Sequence, residues 1–263
     1  MLIDTHCHLT SPELRPAVGA VLARAAAAGV TRVLTVATDP ADLAAALEVA
    51  AAHPTVGVIA GIHPHEAGRC GAADLDALRA AVRADAAGAR RIVAVGETGL
   101  DFHYDFAPRP RQEEVFRAQL TLARECGLPV VIHARESEDR VCDILAEHPA
   151  LAGRVVFHCF SADERVAARA LALGCSFSFT GVVTFRKADT IRAAARSLPP
   201  ERILLETDAP WLSPEPHRKV RPNEPALLVH TARSLAATRG ESFETLAATT
   251  TANARRFFRL AEE

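Results

Sequence analysis

The segment Ile92-Val93-Ala94-Val95-Gly96-Glu97 combines an uninterrupted apolar run with a carboxylate at its end. Apolar, β-branched runs without strict alternation are typical of parallel strands that are covered on both faces. An ionised carboxylate that directly follows such a strand is costly to desolvate unless something pairs with it. The segment therefore predicts a buried strand with a functional group at its carboxyl end.

Seven further runs of this kind occur along the 263-residue chain, which gives eight predicted strands: 2–3, 33–36, 56–59, 92–95, 130–132, 155–157, 176–179 and 203–205. Helical spacing occurs between them at 12–28, 42–52, 73–87, 111–126, 138–147 and 164–173. This alternation predicts a closed (β/α)8 barrel of the TIM type. No linker-like composition interrupts it, so we expect a single domain over residues 1–263, with functional loops at 100–110 and 212–225.

The charge balance and the cysteines exclude several classes of protein. With 30 basic and 32 acidic residues the formal net charge is −2, so no global basic field is available to hold long nucleic acid. The six cysteines contain no C-x-x-C pair, which argues against a disulfide framework and a zinc ribbon. We see no export signal and no run of about 20 apolar residues. We therefore expect a cytoplasmic protein without membrane contact, either a monomer or a weak oligomer.

Polar side chains follow the predicted strands at the points where they end, and these are His6, His8, His63, His65, Glu97, His133, His158 and Asp208. Catalytic groups gather at the carboxyl ends of barrel strands. His6 and His8 are two residues apart on an extended chain, so both face one side and Cys7 faces the other. Four histidines and two carboxylates suit Zn²⁺, Mn²⁺, Mg²⁺, Ni²⁺ or Co²⁺ and exceed what one tetrahedral site uses. We expect two divalent ions, with Glu97 as the candidate bridge.

Seven motifs resemble the TatD-like metal-dependent DNases and hydrolases of the amidohydrolase superfamily, in that family's order and over nearly the whole chain. They are Ile3-Asp4-Thr5-His6-Cys7-His8-Leu9, Gly61-Ile62-His63-Pro64-His65, Val95-Gly96-Glu97-Thr98-Gly99-Leu100-Asp101, Pro129-Val130-Val131-Ile132-His133-Ala134-Arg135, Val156-Phe157-His158-Cys159-Phe160-Ser161, Phe179-Thr180-Gly181 and Leu205-Glu206-Thr207-Asp208-Ala209-Pro210-Trp211-Leu212. Two departures affect the expected substrate loop. Ala162 stands where glycine is usual, and residues 218–225 lack the usual Arg-Gly-Lys before Asn-Glu-Pro.

The resemblance implies a distorted barrel with one ion held by His6, His8 and Asp208, a second held by His133 and His158, and Glu97 shared. It also implies phosphodiester hydrolysis, often from the 3′ end of DNA or RNA, whereas some relatives deacylate D-aminoacyl-tRNA. The expected substrates are thus nucleic-acid ends or small phosphate esters. In the mechanistic hypothesis a water molecule activated by the ions attacks phosphorus in line, and Asp208 is the general base.

Further side chains are candidates for substrate contact. The family motif indicates substrate or phosphate contact for His63 and His65. Arg135 and Arg218, with Lys219 and Arg221, are candidate phosphate donors, although a solvated basic loop would look the same. His103 and Tyr104 are candidates for stacking on a base. We expect Trp211, Cys7 and Cys159 to be packing or rim residues.

Two other functions use the same residues. A small-molecule amidohydrolase or phosphoesterase could use the same pair of metals, but such enzymes often bridge their ions with a carboxylated lysine, and here Glu97 occupies the fourth-strand position. A non-catalytic, metal-stabilised binding protein is expected to have lost a ligand. All six positions are intact, which favours a hydrolase.

Overall fold

A computed structural model describes residues 1–104 and 106–261, in which eight parallel strands form one sheet in the order β1 to β8. Asp105, Glu262 and Glu263, which belong to the predicted 1–263 domain, lie outside the described residues. The strands are β1 (Leu2–Cys7), β2 (Val30–Ala37), β3 (Val56–Ala60), β4 (Ile92–Asp101), β5 (Val130–Arg135), β6 (Val155–Phe157), β7 (Ser176–Phe179) and β8 (Ile203–Leu205). All eight predicted strands are confirmed, and several extend further than predicted.

Helices separate the strands, as predicted. They are α1 (Val18–Ala27), α2 (Pro40–Ala52), α3 (Ala72–Ala87), α4 (Arg109–Cys126), α5 (Glu138–Ala146), α6 (Glu164–Ala172), α7 (Asp189–Ser197), α8 (Leu228–Arg239) and α9 (Phe243–Phe258). The predicted start of the first helix at residue 12 is wrong, because a 3-10 turn with Pro16 at Arg15–Ala17 precedes α1. Within the described part of the chain, no helix is both long and apolar enough to cross a membrane.

The last strand returns to the first and nearly closes the barrel. Cys7 and Ala209 form a parallel bridge, and the Asp208 N–H donates to the His6 carbonyl at 2.9 Å. The His8 N–H donates in turn to the Ala209 carbonyl at 2.8 Å. These bonds place the loop after β8 directly beside the end of β1, which confirms the predicted (β/α)8 architecture.

The hydrophobic core has two layers, and their extent decides where polar residues can lie. The larger layer fills the space between strands and helices. The smaller one fills the barrel interior and consists of Ile3, Leu34, Val36, Ile59, Ala94, Val131, Val156, Leu204, Ala254, Phe258 and Leu260. The last three lie in or just after α9, so this helix closes the amino-terminal end of the barrel. The opposite end is left to polar side chains.

Candidate metal centre

The six predicted ligands come together at the carboxyl ends of the strands. They are His6 at the end of β1, His8 just beyond it, Glu97 in β4, His133 in β5, His158 directly after β6, and Asp208 after β8. The pairing of β1 with β2 shifts register between Asp4 and Cys7, and such irregularities re-aim side chains near active sites. Cys7 packs in the outer core, as predicted, while both histidines face the mouth.

Four of these side chains form a first group with one ligand atom each. The Nε2 atoms of His6 and His8 are 3.3 Å apart, and His6 Nε2 lies 3.3 Å from Glu97 Oε2. Asp208 Oδ1 lies 3.5 Å from His8 Nε2 and 3.7 Å from His6 Nε2. Tetrahedral ligands at about 2.0–2.1 Å from Zn²⁺ would lie about 3.3 Å apart. The spacing of the group therefore suits one divalent ion.

The second group is built around the other oxygen of Glu97. Its Oε1 atom lies 2.7 Å from His158 Nε2 and 2.8 Å from His133 Nδ1, and these two nitrogens are 3.4 Å apart. One carboxylate thus presents Oε2 to the β1 histidines and Oε1 to the β5 and β6 histidines. Glu97 is therefore shared by the two groups of side chains.

Two glycines let β4 bring Glu97 to this position. Gly96 has a φ of +147°, and a Cβ there would lie 2.5 Å from the Val131 carbonyl oxygen. Gly99 has a φ of +141°, and a Cβ there would clash with the His133 carbonyl oxygen. Only glycine adopts this conformation readily and leaves room for β5. The two glycines therefore allow β4 to pack against β5 on both sides of Glu97.

Sequence reasoning missed the carboxylates behind the ligands, of which Asp101 is the most connected. Its Oδ2 lies 3.1 Å from His133 Nε2 and 2.8 Å from His65 Nε2. Its Oδ1 accepts the backbone N–H groups of His103 and Tyr104, both at 2.9 Å. Asp101 is therefore saturated with donors, and it holds His133 from the side opposite to Glu97.

Glu206 stands in the same relation to His158. Its Oε1 lies 3.3 Å from His158 Nδ1 and accepts the Cys159 N–H at 2.5 Å, while its Oε2 accepts the Ser178 hydroxyl at 2.6 Å. Histidine ligands of metals almost always have such an outer partner on the second ring nitrogen. Both histidines of the second group therefore lie between Glu97 and an outer carboxylate.

A third missed carboxylate, Asp4, ties β1 to the loop after β8. Its Oδ1 accepts the N–H groups of His6 (3.3 Å) and Thr207 (2.9 Å), and its Oδ2 accepts the Thr207 hydroxyl at 2.5 Å. Complete burial raises the pKa of Asp4 to about 7. Asp4 thus fixes the backbone on which His6 and Asp208 stand.

Electrostatics favour a charged cluster. Burial alone would raise the pKa of Glu97, but the imidazoles of His158, His63 and His6 hold it well below its usual range. Burial opposes ionisation of Asp208 as well, yet its hydrogen bond with His8 lowers its pKa below the usual value. Both carboxylates are therefore ionised at neutral pH and can attract cations.

The two histidines after β3 are bound into this network. The His63 Nδ1 accepts the His65 N–H at 3.1 Å, and its Nε2 lies 3.4 Å from Glu97 Oε1. Burial lowers the pKa of His63 to about 4, so the ring is neutral at pH 7 and carries its proton on Nε2, facing Glu97. His65 is directed at Asp101. Substrate contact by either histidine stays a prediction.

The arginines predicted to bind phosphate differ in their contacts within the protein. The Arg135 guanidinium lies 4.8 Å from the Tyr104 ring centroid, and that of Arg218 lies 4.0 Å from the Phe185 ring centroid. Neither forms an ion pair with any described residue. Arg221 instead donates to Ser213 and to carbonyls of its own loop, so that its guanidinium is used within the loop.

Three other side chains singled out in the sequence, His103, Trp211 and Cys159, make contacts near the mouth. His103 pairs with Glu136 at 2.6 Å. Trp211 is 51% exposed at the rim, and its ring centroid lies 4.9 Å from that of His8. The Cys159 thiol contacts the Thr180 hydroxyl at 3.4 Å.

The residues present fit divalent ions. The His133 ring has Asp101 at Nε2 and Glu97 at Nδ1, so a neutral ring that donates to Asp101 points a lone pair at a carboxylate. A cation between Nδ1 and Oε1 satisfies both groups. Imidazole and carboxylate ligands suit borderline divalent metals.

Several known proteins are similar to this chain in sequence and in fold. The family model described as TatD related DNase matches residues 3–259. A Bacillus subtilis (strain 168) protein described as uncharacterized metal-dependent hydrolase YabD is 35% identical over 99% of this chain and 100% of its own length. The 3′-5′ ssDNA/RNA exonuclease TatD of Pantoea sp. (strain At-9b) is 40% identical, with the same coverage. The crystal structure of YJJV, a TatD homolog from Escherichia coli K12, superposes with a TM-score of 0.93 at 30% identity, over 99% of this chain and 98% of that one.

Proposed function

The chain belongs to the TatD-related DNase family and is a metal-dependent hydrolase, and from this premise we propose that it removes nucleotides from the 3′ end of single-stranded DNA or RNA with two divalent ions. The exonucleases among its relatives support the substrate class. The proposal depends on one observation above all. The two oxygens of the buried Glu97 face two separate groups of histidines, at 3.3 Å from His6 and 2.7 Å from His158.

We assign the ligands from these contacts. His6, His8 and Asp208 hold the first ion, His133 and His158 hold the second, and Glu97 bridges them. The donor set suits Zn²⁺, Mn²⁺, Ni²⁺ or Co²⁺, and Mg²⁺ would be bound chiefly by the carboxylates. When bound, such a pair of ions lowers the pKa of water and neutralises charge that develops on phosphoryl oxygens.

The residues of the chain contribute the proton transfer and the substrate contacts. Asp208 is ionised, and its side chain is 14% exposed at the mouth, so it can accept a proton from the attacking water. Arg135 and Arg218 are the proposed donors to phosphates, because each guanidinium lies at the mouth without an acidic partner among the described residues. His63 and His65 are proposed to contact the substrate from the rim of β3.

Asp101 supplies a testable consequence of the ligand assignment. Asp101→Asn would turn an amide N–H toward His133 Nε2 and favour the tautomer with its proton on Nδ1, where the ion should bind. We expect roughly 10- to 100-fold weaker binding of the second ion. The rate should recover at high Mn²⁺ concentration. Titration of activity with Mn²⁺ measures this, with Asp76→Asn on the surface of α3 as the control. An unchanged titration curve would remove Asp101 from the account.

The function itself is tested with strands labelled at either end. Purified protein should shorten a 5′-labelled single strand stepwise and release mononucleotide from a 3′-labelled one at once, with Mg²⁺ or Mn²⁺ present. A chelator should abolish both reactions, and added metal should restore them. A Glu97→Gln preparation controls for contaminating nuclease. If no strand is cut with Mg²⁺, Mn²⁺ or Zn²⁺ but D-aminoacyl-tRNA or a small ester is hydrolysed, the nuclease assignment is wrong and the metal centre stands.

A further inference from the structure

Three exposed aromatic side chains lie at the barrel mouth, outside the metal centre. Among the described residues the exposed large hydrophobics are Met1, Tyr104 (39%), Phe106 (64%), Trp211 (51%) and Val220 (45%). All but Met1 lie on loops that follow β4 or β8. Exposed apolar side chains that gather at one cleft mark a binding surface. The mouth therefore offers aromatic surface that the protein itself leaves open.

These rings lie on opposite sides of the metal centre. Strands β4 and β8 are four positions apart in a barrel of eight, so the loops that follow them face each other across the mouth. On the β4 side the rings of Tyr104 and Phe106 stack with their centroids 5.3 Å apart. Both rings also make edge-to-face contacts with His65, at centroid distances of 5.6 Å for Tyr104 and 4.8 Å for Phe106. On the β8 side Trp211 contacts His8. The ligand cluster lies between the two aromatic surfaces.

The β4 surface is held in place by the ligand network. Asp101, which orients His133, also accepts the backbone N–H of Tyr104. Gln112 of α4 accepts from the Asp101 N–H and donates to the carbonyls of Asp101 and Ala107 on the two sides of the loop. These bonds tie the backbone at Asp101, Tyr104 and Ala107 to Gln112 or to the Asp101 carboxylate. Preorganisation of this kind lowers the entropy cost of binding.

Cationic groups accompany the rings. The Arg135 guanidinium lies over the Tyr104 ring, and the guanidinium of Arg218, on the same loop as Trp211, lies over the Phe185 ring. Aromatic platforms with neighbouring arginines are the means by which proteins bind unpaired bases together with their phosphates, without sequence preference. A small ester without bases would use neither platform.

We propose that Trp211 on one rim and the Tyr104–Phe106 pair on the other are base-stacking platforms that hold the nucleotides on the two sides of the scissile phosphate. This rests on the proposed function and adds that the enzyme recognises the faces of unpaired bases. Every base has such a face, so bases are required but their identity is not. A duplex hides these faces, and it is therefore a poor substrate until its end frays.

Trp211 is the only tryptophan of the chain, so its emission reports this site alone. The full-length protein with Mg²⁺ is titrated with a phosphorothioate octathymidylate, which resists hydrolysis, and with an abasic phosphorothioate strand of equal length and charge. We expect saturable quenching with the thymidylate strand and none with the abasic strand. Equal responses to both strands, or no response, would overturn the proposal. Emission that changes only with protein concentration would indicate self-association at this surface and overturn it as well.

Kinetics with variants provide a second readout. Trp211→Ala, and Tyr104→Ala combined with Phe106→Ala, should each lower kcat/KM on octathymidylate by roughly 5- to 100-fold. The effect on an abasic strand should be much smaller, and Trp211→Phe should recover most of the loss. Asp76→Ala, at an exposed position of α3 away from the mouth, should leave kcat/KM on both substrates unchanged.

The nuclease activity and the stacking platforms can be tested separately. If the wild-type protein cuts natural and abasic strands with equal kcat/KM, the platforms are wrong and the nuclease stands. If it cuts neither strand with any ion, yet the thymidylate strand alone quenches Trp211, the nuclease assignment is wrong and only base stacking on Trp211 stands.

Discussion

Replacing Glu97 with glutamine should lower kcat/KM for phosphodiester hydrolysis by roughly 1,000-fold or more. Glutamine keeps the shape of the side chain but offers one carbonyl oxygen and one NH₂ group, and an NH₂ group cannot bind a cation. Either the group of His6, 3.3 Å from Oε2, or the group of His158, 2.7 Å from Oε1, would then lose the ligand that the two groups share. Metal ions supply several kcal/mol of charge stabilisation to such reactions, and about 4 kcal/mol corresponds to a factor of roughly 1,000.

The loss should be specific to the site. Glu136→Gln removes a carboxylate from the same rim, where it pairs with His103 and is 64% exposed, and we expect it to retain normal activity. Thermal unfolding should show that Glu97→Gln still folds, because both hydrophobic layers are untouched. A Glu97→Gln enzyme that keeps more than about a tenth of the wild-type rate would show that no shared carboxylate is needed.

Replacing Asp208 with asparagine should lower kcat by roughly 100- to 10,000-fold, which is the range for loss of a general base. The amide can still contact His8 through its oxygen, so the substitution removes proton acceptance more than shape. KM should change far less, because no proposed substrate contact is altered. Steady-state kinetics on a labelled single strand measure both values, with Asp189→Asn at an exposed position of α7 as the matched control.

The pH profile gives the range in which Asp208 can act as the base. His8 and the neighbouring imidazoles hold the pKa of Asp208 below its usual value, so the carboxylate stays ionised as pH falls through the usual aspartate range near 4. Protonation of Asp208 should therefore not reduce the wild-type kcat at any pH above about 4. If Asp208→Asn retains near-normal kcat with metal bound, Asp208 is a ligand only and another group accepts the proton.

The strands and the convergence of the candidate ligands at their ends were predictable because both follow from local patterns. Apolar β-branched runs mark buried parallel strands, and a charged or ligating residue directly after such a run is costly without a partner. Glu97 and Asp208 stand just after such runs. The precise bounds of the helices and strands were harder to predict. The 3-10 turn before α1 and the extension of β4 to Asp101 depend on neighbours that are distant in sequence.

The outer carboxylates Asp4, Asp101 and Glu206 were missed, although the same argument applied to two of them. All three are at most 1% exposed, and Asp4 and Glu206 each follow an isoleucine or leucine at the end of a predicted strand. The desolvation cost of a carboxylate in that position could have identified these two, whereas Asp101 follows Leu100 in the predicted loop 100–110 and carried no such signal. Their partners could not be named, because Asp101 meets His65 and His133 only through the closure of the barrel.

No bounds were predicted for helices α7 to α9, although α9 matters most for the position of the site. Ala254, Phe258 and the following Leu260 fill the amino-terminal end of the barrel and leave the carboxyl end to the ligands. Nothing in the local pattern of that helix says which cavity it fills. The exposure of Trp211 could not be predicted either. Its apolar neighbours in the sequence suggest packing, whereas its position at the barrel rim leaves it half-exposed.

The central claim is tested most directly by anomalous scattering from crystals of the protein grown with Mn²⁺ or Zn²⁺. We expect two peaks per chain, one among His6, His8 and Asp208 and the other between His133 and His158, with one oxygen of Glu97 bound to each. A single ion that Glu97 does not bridge, or ions bound only by His63, His65 and His133, would contradict the account.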